Sequence, residues 1–215
     1  MKRLALSSEF YYIKARDLKK TPVKEKQIPN LLDDEDCVFI KLHHNGAVTV
    51  YSGLELLDSV NDDEFVKTRV VYISYPAFIG FLLNLIKPIK RRFYIKSTQP
   101  FIVRLQDILD AKLPRGERNA ENAYQFANKR YYLNKEDAQK CYQKLYQSIE
   151  QNGYDFTKPM YVMLNRKLGI KDQLLQGHHR IGICKDLGVK EISISFWAAP
   201  ASFDFFRFFI PKNKK

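Results

Sequence analysis

Residues 176–180 read Gln176-Gly177-His178-His179-Arg180, the string in this chain best suited to chemistry. A glycine between a strand and a helix lets backbone approach a ligand with no Cβ in the way. The first amides of the following helix have no intrahelical partner and face outward, which makes an anion site. Arg180, in the first turn, adds a guanidinium fork that matches phosphate oxygens. His178 and His179 can donate to the same oxygens, or one can lock the loop from behind. The expected ligand is a phosphate group held by Gly177, His178, His179 and Arg180.

These residues need a frame, and the flanking pattern supplies one. Met160–Leu164 reads as a strand, residues 165–171 as a turn, and Gln173–Gln176 as a second strand running into Gly177. A helix is expected over 179–187, closed by Gly188, with a last strand over 191–196. Upstream, 100–105 reads as a strand and Asp107-Ile108-Leu109 as the turn leaving it. Residues 112–134 read as a polar, partly helical insertion. Asn134 then caps a helix whose first turn carries Glu136 and Asp137, where carboxylates oppose the positive end of the dipole. Ala138, Cys141, Tyr142, Leu145 and Ile149 share one face of it, and Asn152-Gly153 ends it.

Four stretches together resemble one family. Leu145, Ser148, Ile149 and Gly153 resemble the helix end of ParB-type domains, and Lys158-Pro159-Met160-Tyr161-Val162 resembles their second strand. Leu174 through Gly188 is similar to their Gly-x-x-Arg box, and Phe101 through Ile108 to their opening strand. The resemblance is to the ParB/sulfiredoxin superfamily and covers roughly residues 93–197. It implies an α/β (α+β) fold: a mixed sheet with helices, preceded by an N-terminal extension containing a β-hairpin. It also implies a nucleotide, ATP or another NTP or ADP, whose phosphates rest on the Gly177–Arg180 loop with Mg²⁺ brought by the nucleotide rather than by protein ligands. Members include CTP-binding partition proteins, ATP-using sulfiredoxins and small kinases of free serine.

Two departures narrow that choice. Sulfiredoxins carry a reactive cysteine where this chain has His178, which argues against sulfinic acid reduction. The chain ends soon after its last expected strand, leaving no room for the helix-turn-helix and dimerisation domains of partition proteins. Phosphoryl transfer to a small-molecule or saccharide hydroxyl remains the leading expectation, with Asp107 and His178 as catalytic candidates. Such a reaction needs positioning, charge stabilisation and a carboxylate. Asp107 is favoured because strand ends of α/β sheets are where such sites form. Lys158, Asp172 and Glu117 are supporting candidates, with Glu121 behind them. Two alternatives stand: a ParB-like nucleic-acid-binding module or nuclease, and a non-catalytic nucleotide-gated switch.

Composition bounds the rest. The 36 basic against 24 acidic side chains leave a net charge of +12, which favours polyanionic partners. Expected partners are a nucleotide and a glycan or small-molecule acceptor, then an anionic membrane surface, with nucleic acid ranked below these. Cys37, Cys141 and Cys184 form no Cys-x-x-Cys pair, which argues for a reducing, cytoplasmic setting, with no metal-ligand spacing in view. Residues 1–92 hold a hairpin over 37–42 and 47–51 around His43-His44-Asn45-Gly46, then a helical stretch over 54–60. The apolar run 75–86 followed by Lys87 to Arg92 suits either a buried helix or one lying on the inner face of a membrane. An aromatic and basic tail, 198–215, repeats that chemistry. No internal repeat or low-complexity tract is visible.

Overall fold

Between Phe65 and Ser74, Val66, Thr68, Val70 and Tyr72 are buried, Phe65, Lys67 and Arg69 are only partly so, and Val71 is buried in a separate cluster with Cys37, Phe39 and Tyr51. Side chains alternate across a strand, so this period-two pattern gives one core face and one outer face. The same alternation recurs in residues 101–104, whereas residues 38–42, 48–52, 160–164 and 191–198 are buried on both faces over most of their length. Tyr11 and Ile13, Phe101 and Val103, and Ile192, Ile194 and Phe196 all join one core cluster.

The computed structural model describes residues 3–24, 36–74, 95–109, 135–164 and 172–198. In chain order the elements are β1 (Arg3–Leu6), β2 (Tyr11–Lys14), α1 (Ala15–Lys19), β3 (Val38–Leu42), β4 (Val48–Ser52), α2 (Leu54–Ser59), β5 (Phe65–Ser74), β6 (Ile95–Lys96), β7 (Phe101–Arg104), α3 (Leu105–Leu109), α4 (Lys135–Asn152), β8 (Met160–Leu164), β9 (Gln173–Gln176), α5 (His178–Asp186) and β10 (Glu191–Ala198). The fold is mixed α/β, with all ten described strands in one sheet ordered β4-β3-β5-β2-β7-β10-β8-β9. Short β1 extends the line of β2 along β5, and short β6 extends that of β7 along β10. Helices α1, α2, α3 and α5 bury Ala15, Leu18, Leu57, Leu105, Ile108, Ile181 and Cys184 in the same core cluster. Helix α4 stacks on α5 through Tyr142, Ile149 and Ile183.

The strand order is a palindrome, and the bonding repeats with it. Strand β3 runs parallel to β5 and antiparallel to β4, with a register shift at Phe39/Ile40. Strand β8 runs parallel to β10 and antiparallel to β9, with a register shift at Tyr161/Val162. The break between β1 and β2 is made by Ser7, whose amide donates to Val70 O (2.7 Å) and whose Oγ accepts from Val70 N (3.1 Å). The break between β6 and β7 is made by Ser97, bonded the same way to Phe196 (2.8 and 3.0 Å). Each serine hydroxyl then donates to the carbonyl two residues on. The described residues within 3–74 and within 95–198 therefore follow one backbone plan twice. The expectation of no internal repeat is corrected, because the repeat lies in hydrogen-bond register and not in residue identity.

The copies meet where β2 pairs antiparallel with β7 at Ile13 and Val103, which are matching positions. Across this seam Asp17 Oδ2 accepts from the amide of Ile102 (2.7 Å), and Asp107 Oδ2 from the amide of Tyr12 (3.1 Å). Each half also reaches over the strand break of the other. Gly46 O, at the tip of the β3–β4 hairpin, accepts from Thr98 N (2.8 Å). Asp172, just before β9, donates its amide to Ser8 Oγ (2.7 Å) and accepts from the Tyr11 hydroxyl (2.6 Å). The region expected as an extension around one hairpin thus supplies half of the sheet. Asp107-Ile108-Leu109, expected as a turn, lies in helix α3. No described helix is long and apolar enough to cross a membrane. The segment 75–92, the insertion with Glu117 and Glu121, the turn 165–171 and the tail 199–215 lie outside the described residues.

Candidate functional site

Gly177 joins β9 to α5 with φ +112°, in the left-handed region, and a Cβ there would meet Met160 Cγ at 2.7 Å. Glycine is required on both counts. The first intrahelical bond of α5 runs from Ile181 N to Gly177 O (2.9 Å), so the amides of residues 178–180 precede it. That is the anion-accepting end of a helix. The strand–glycine–helix arrangement expected from the sequence is present, starting one residue earlier than anticipated.

The side chains of the loop divide. Arg180 turns back, and its two terminal nitrogens donate to the carbonyls of Lys158 and Pro159. Guanidinium has five N–H donors, so two such bonds orient the group and leave others for a ligand. His179 sets its ring edge-on to Tyr142 of α4, with centroids 5.8 Å apart, and His178 has its Nε2 buried. His179 thus packs against α4. The Tyr142 hydroxyl is buried with no hydrogen-bond partner among the described residues, and burial pushes its pKa up to about 12.

Beside Arg180 opens a cavity of about 380 Å³, walled by the end of α4 (Ser148, Asn152) and by Tyr154, Asp155 and Lys158. Gly177, His178 and His179 are not part of its wall. Its carboxylate is Asp155, a residue absent from the sequence-derived candidates. The Thr157 hydroxyl (2.6 Å) and then Lys158 (3.0 Å) hold Asp155 ionised, with a pKa lowered to about 2. The signal was in the sequence: an Asp with Thr two residues on, after the helix-ending Gly153, is a side-chain-capped turn. Tyr154 lies inward, its hydroxyl donating to Ser193 O (3.3 Å), and burial raises its pKa to about 12.

The remaining candidates sit elsewhere. Asp107 has one oxygen against Arg104 Nη2 (2.7 Å) and the other on the Tyr12 amide, and this pairing raises the pKa of Arg104. Asp172 is fully buried and tied to Ser8 and Tyr11, and burial with that carboxylate beside it pushes the Tyr11 pKa well up. Neither carboxylate lines the cavity. Cys184 is buried in α5 with its pKa raised to about 11 by burial. Among the described residues no group of three or more His, Cys, Asp or Glu side chains could hold a metal ion. No family model, curated protein or solved structure matches the chain.

Proposed function

We propose that the second half of the chain binds a nucleotide and transfers its phosphoryl group to a small-molecule or saccharide hydroxyl, in the manner of ParB/sulfiredoxin-type kinases. One observation carries the reading: Arg180, Lys158 and an ionised Asp155 converge on one cavity at the start of α5. Its volume of about 380 Å³ is in the range of small-ligand pockets. Phosphoryl transfer asks a protein for positioning, cationic stabilisation and a carboxylate near the attacking hydroxyl. Arg180 and Lys158 supply the cations and Asp155 the carboxylate. The Asp107 carboxylate, committed to the seam, is left out of this role. ATP fits the cationic wall, and Mg²⁺ would enter on its phosphates.

The test is calorimetric titration of the full chain with ATP, ADP and CTP, with and without Mg²⁺, followed by product analysis on a panel of sugars and serine. Saturable binding that Arg180→Ala weakens about tenfold supports the site. Phosphorylated product that disappears in Asp155→Asn supports the reaction. Binding without product would leave a nucleotide-gated switch, and no binding at all would overturn the reading.

A further inference from the structure

The two cations on the cavity wall are held in different ways. Arg180, half-buried in the first turn of α5, donates to the carbonyls of Lys158 and Pro159. Those carbonyls are themselves fixed. Met160, next in the chain, lies in parallel register with Ile194, and the Tyr154 hydroxyl also reaches Lys158 O (3.5 Å). The side chain of Lys158 is free of this frame. Among the described residues its Nζ is bound only to Asp155 Oδ2, at 3.0 Å, and 77% of the side chain is exposed. Arg180 is therefore a stationary cation, and Lys158 a long, solvated arm on a fixed backbone.

The Asp155 carboxylate is divided in the same way. Its Oδ1 accepts from the Thr157 amide (3.0 Å) and the Thr157 hydroxyl (2.6 Å), which close the turn and orient the group. Its Oδ2, the oxygen left for chemistry, is the one that Lys158 covers. Held by Thr157 first and Lys158 second, the carboxylate has a pKa lowered to about 2, which makes it a poor proton acceptor. The carboxylate assigned to catalysis is thus covered by a cation assigned to phosphate.

We propose that Lys158 sets the order of binding: nucleotide phosphate draws its ammonium away from Asp155, which uncovers Oδ2 for the acceptor hydroxyl. This rests on the nucleotide reading of the cavity given above. An exposed ion pair of this kind adds little to stability, so it exchanges easily. A phosphate offers the same ammonium more charge and more oxygens, beside a guanidinium already in place. Lys158 and Arg180 are the cations among the lining residues and Asp155 the acid, so no other acid on that wall competes for the lysine. The exchange needs only rotation of the Lys158 side chain, because its backbone carbonyl stays bonded to Arg180. A hydroxyl that arrives before the nucleotide finds Oδ2 taken, and one that arrives after it finds the oxygen free.

Carbodiimide reads the pair directly, since it joins a carboxylate and an ammonium in contact into an amide with loss of water. On the full chain without nucleotide, mass spectrometry should find that loss in the peptide spanning Asp155 and Lys158. Saturating ADP with Mg²⁺ should cut this crosslink at least about fivefold and let added glycinamide label Asp155 instead. Lys158→Met, at an exposed position, should take the glycinamide label without nucleotide and bind ADP about fivefold more weakly. If calorimetry shows ADP bound while the crosslink persists at full yield, the ordering by Lys158 is overturned and the nucleotide reading stands. If ADP does not bind at all, both fall. A Lys158→Met chain whose Asp155 stays unlabelled without nucleotide also overturns the ordering, because another group must then cover Oδ2.

Discussion

At the helix start of the first half, Gly53 is followed by Leu54, Glu55 and Leu56; at the matching start of the second half, Gly177 is followed by His178, His179 and Arg180. Both glycines hold left-handed backbone, with φ of +84° and +112°, and both open a helix after an edge strand. The two triplets differ in sign and in polarity. Glu55 in the first turn of α2 repels an anion, and the flanking leucines offer it no donor. The comparison separates what the backbone plan needs from what a ligand needs. Glycine belongs to the plan, and of the three residues that follow it in the second half only Arg180 reaches the cavity wall.

The largest effects should come from the shared feature. Gly53→Ala and Gly177→Ala should each cost about 2–4 kcal/mol, since both force a side chain into left-handed backbone and into contact. The obstacles are Cys37 O at 2.8 Å for Gly53 and Met160 Cγ at 2.7 Å for Gly177. Urea midpoints measure this, and a neutral result at either position would break the equivalence. Next come the two seam carboxylates. Asp17→Ala and Asp107→Ala should each cost about 1–3 kcal/mol by stranding an amide of the other half. If Asp107→Ala instead abolished turnover at unchanged stability, its carboxylate would belong to catalysis.

A smaller effect sharpens the contrast between the helix starts. Arg180→Ala should weaken nucleotide binding about tenfold, whereas Leu56→Ala, at the matching position, should leave it within error. Equal losses would mean that the first half also takes part in binding. The smallest effect concerns pH. Asp155 has a folded pKa near 2, below its ordinary value near 3.9, so its contribution is full above pH 4 and is lost as pH falls through 2. Carboxyl carbon shifts should show that low midpoint, and Thr157→Val should raise it. A midpoint already near 4 in the parent protein would remove the Thr157 contact from the account.

Much of the second half was legible because its signals are local. Met160–Leu164 and Gln173–Gln176 were read at their observed bounds, and the helix ending at Asn152 within a residue. Capping residues, alternation and the strand–glycine–helix string all act over a few positions. The duplication was not legible. Its equivalences pair Tyr12 with Ile102, Leu56 with Arg180 and Val38 with Met160, positions alike in backbone bonding and unlike in chemistry. Residues 110–159 separate α3 from β8, whereas residues 20–37 separate α1 from β3, so the spacing between equivalents drifts. The seam contact of Asp107 was hidden for a related reason. An acid after a strand looks the same whether it faces a ligand or an amide 95 residues away.

The seam has a bearing on how the chain reaches this structure. Its contacts join residues far apart, 85 positions for Asp17 with Ile102 and 164 for Ser8 with Asp172, whereas the β3–β4 hairpin closes within a few. Distant closures cost more entropy and tend to come late. Until they form, β2 and β7 present two unpaired edges of nearly equivalent design. Either edge could accept its counterpart from another molecule as readily as from its own. Exchange between chains at high concentration is therefore the characteristic misassembly open to a protein that is its own partner.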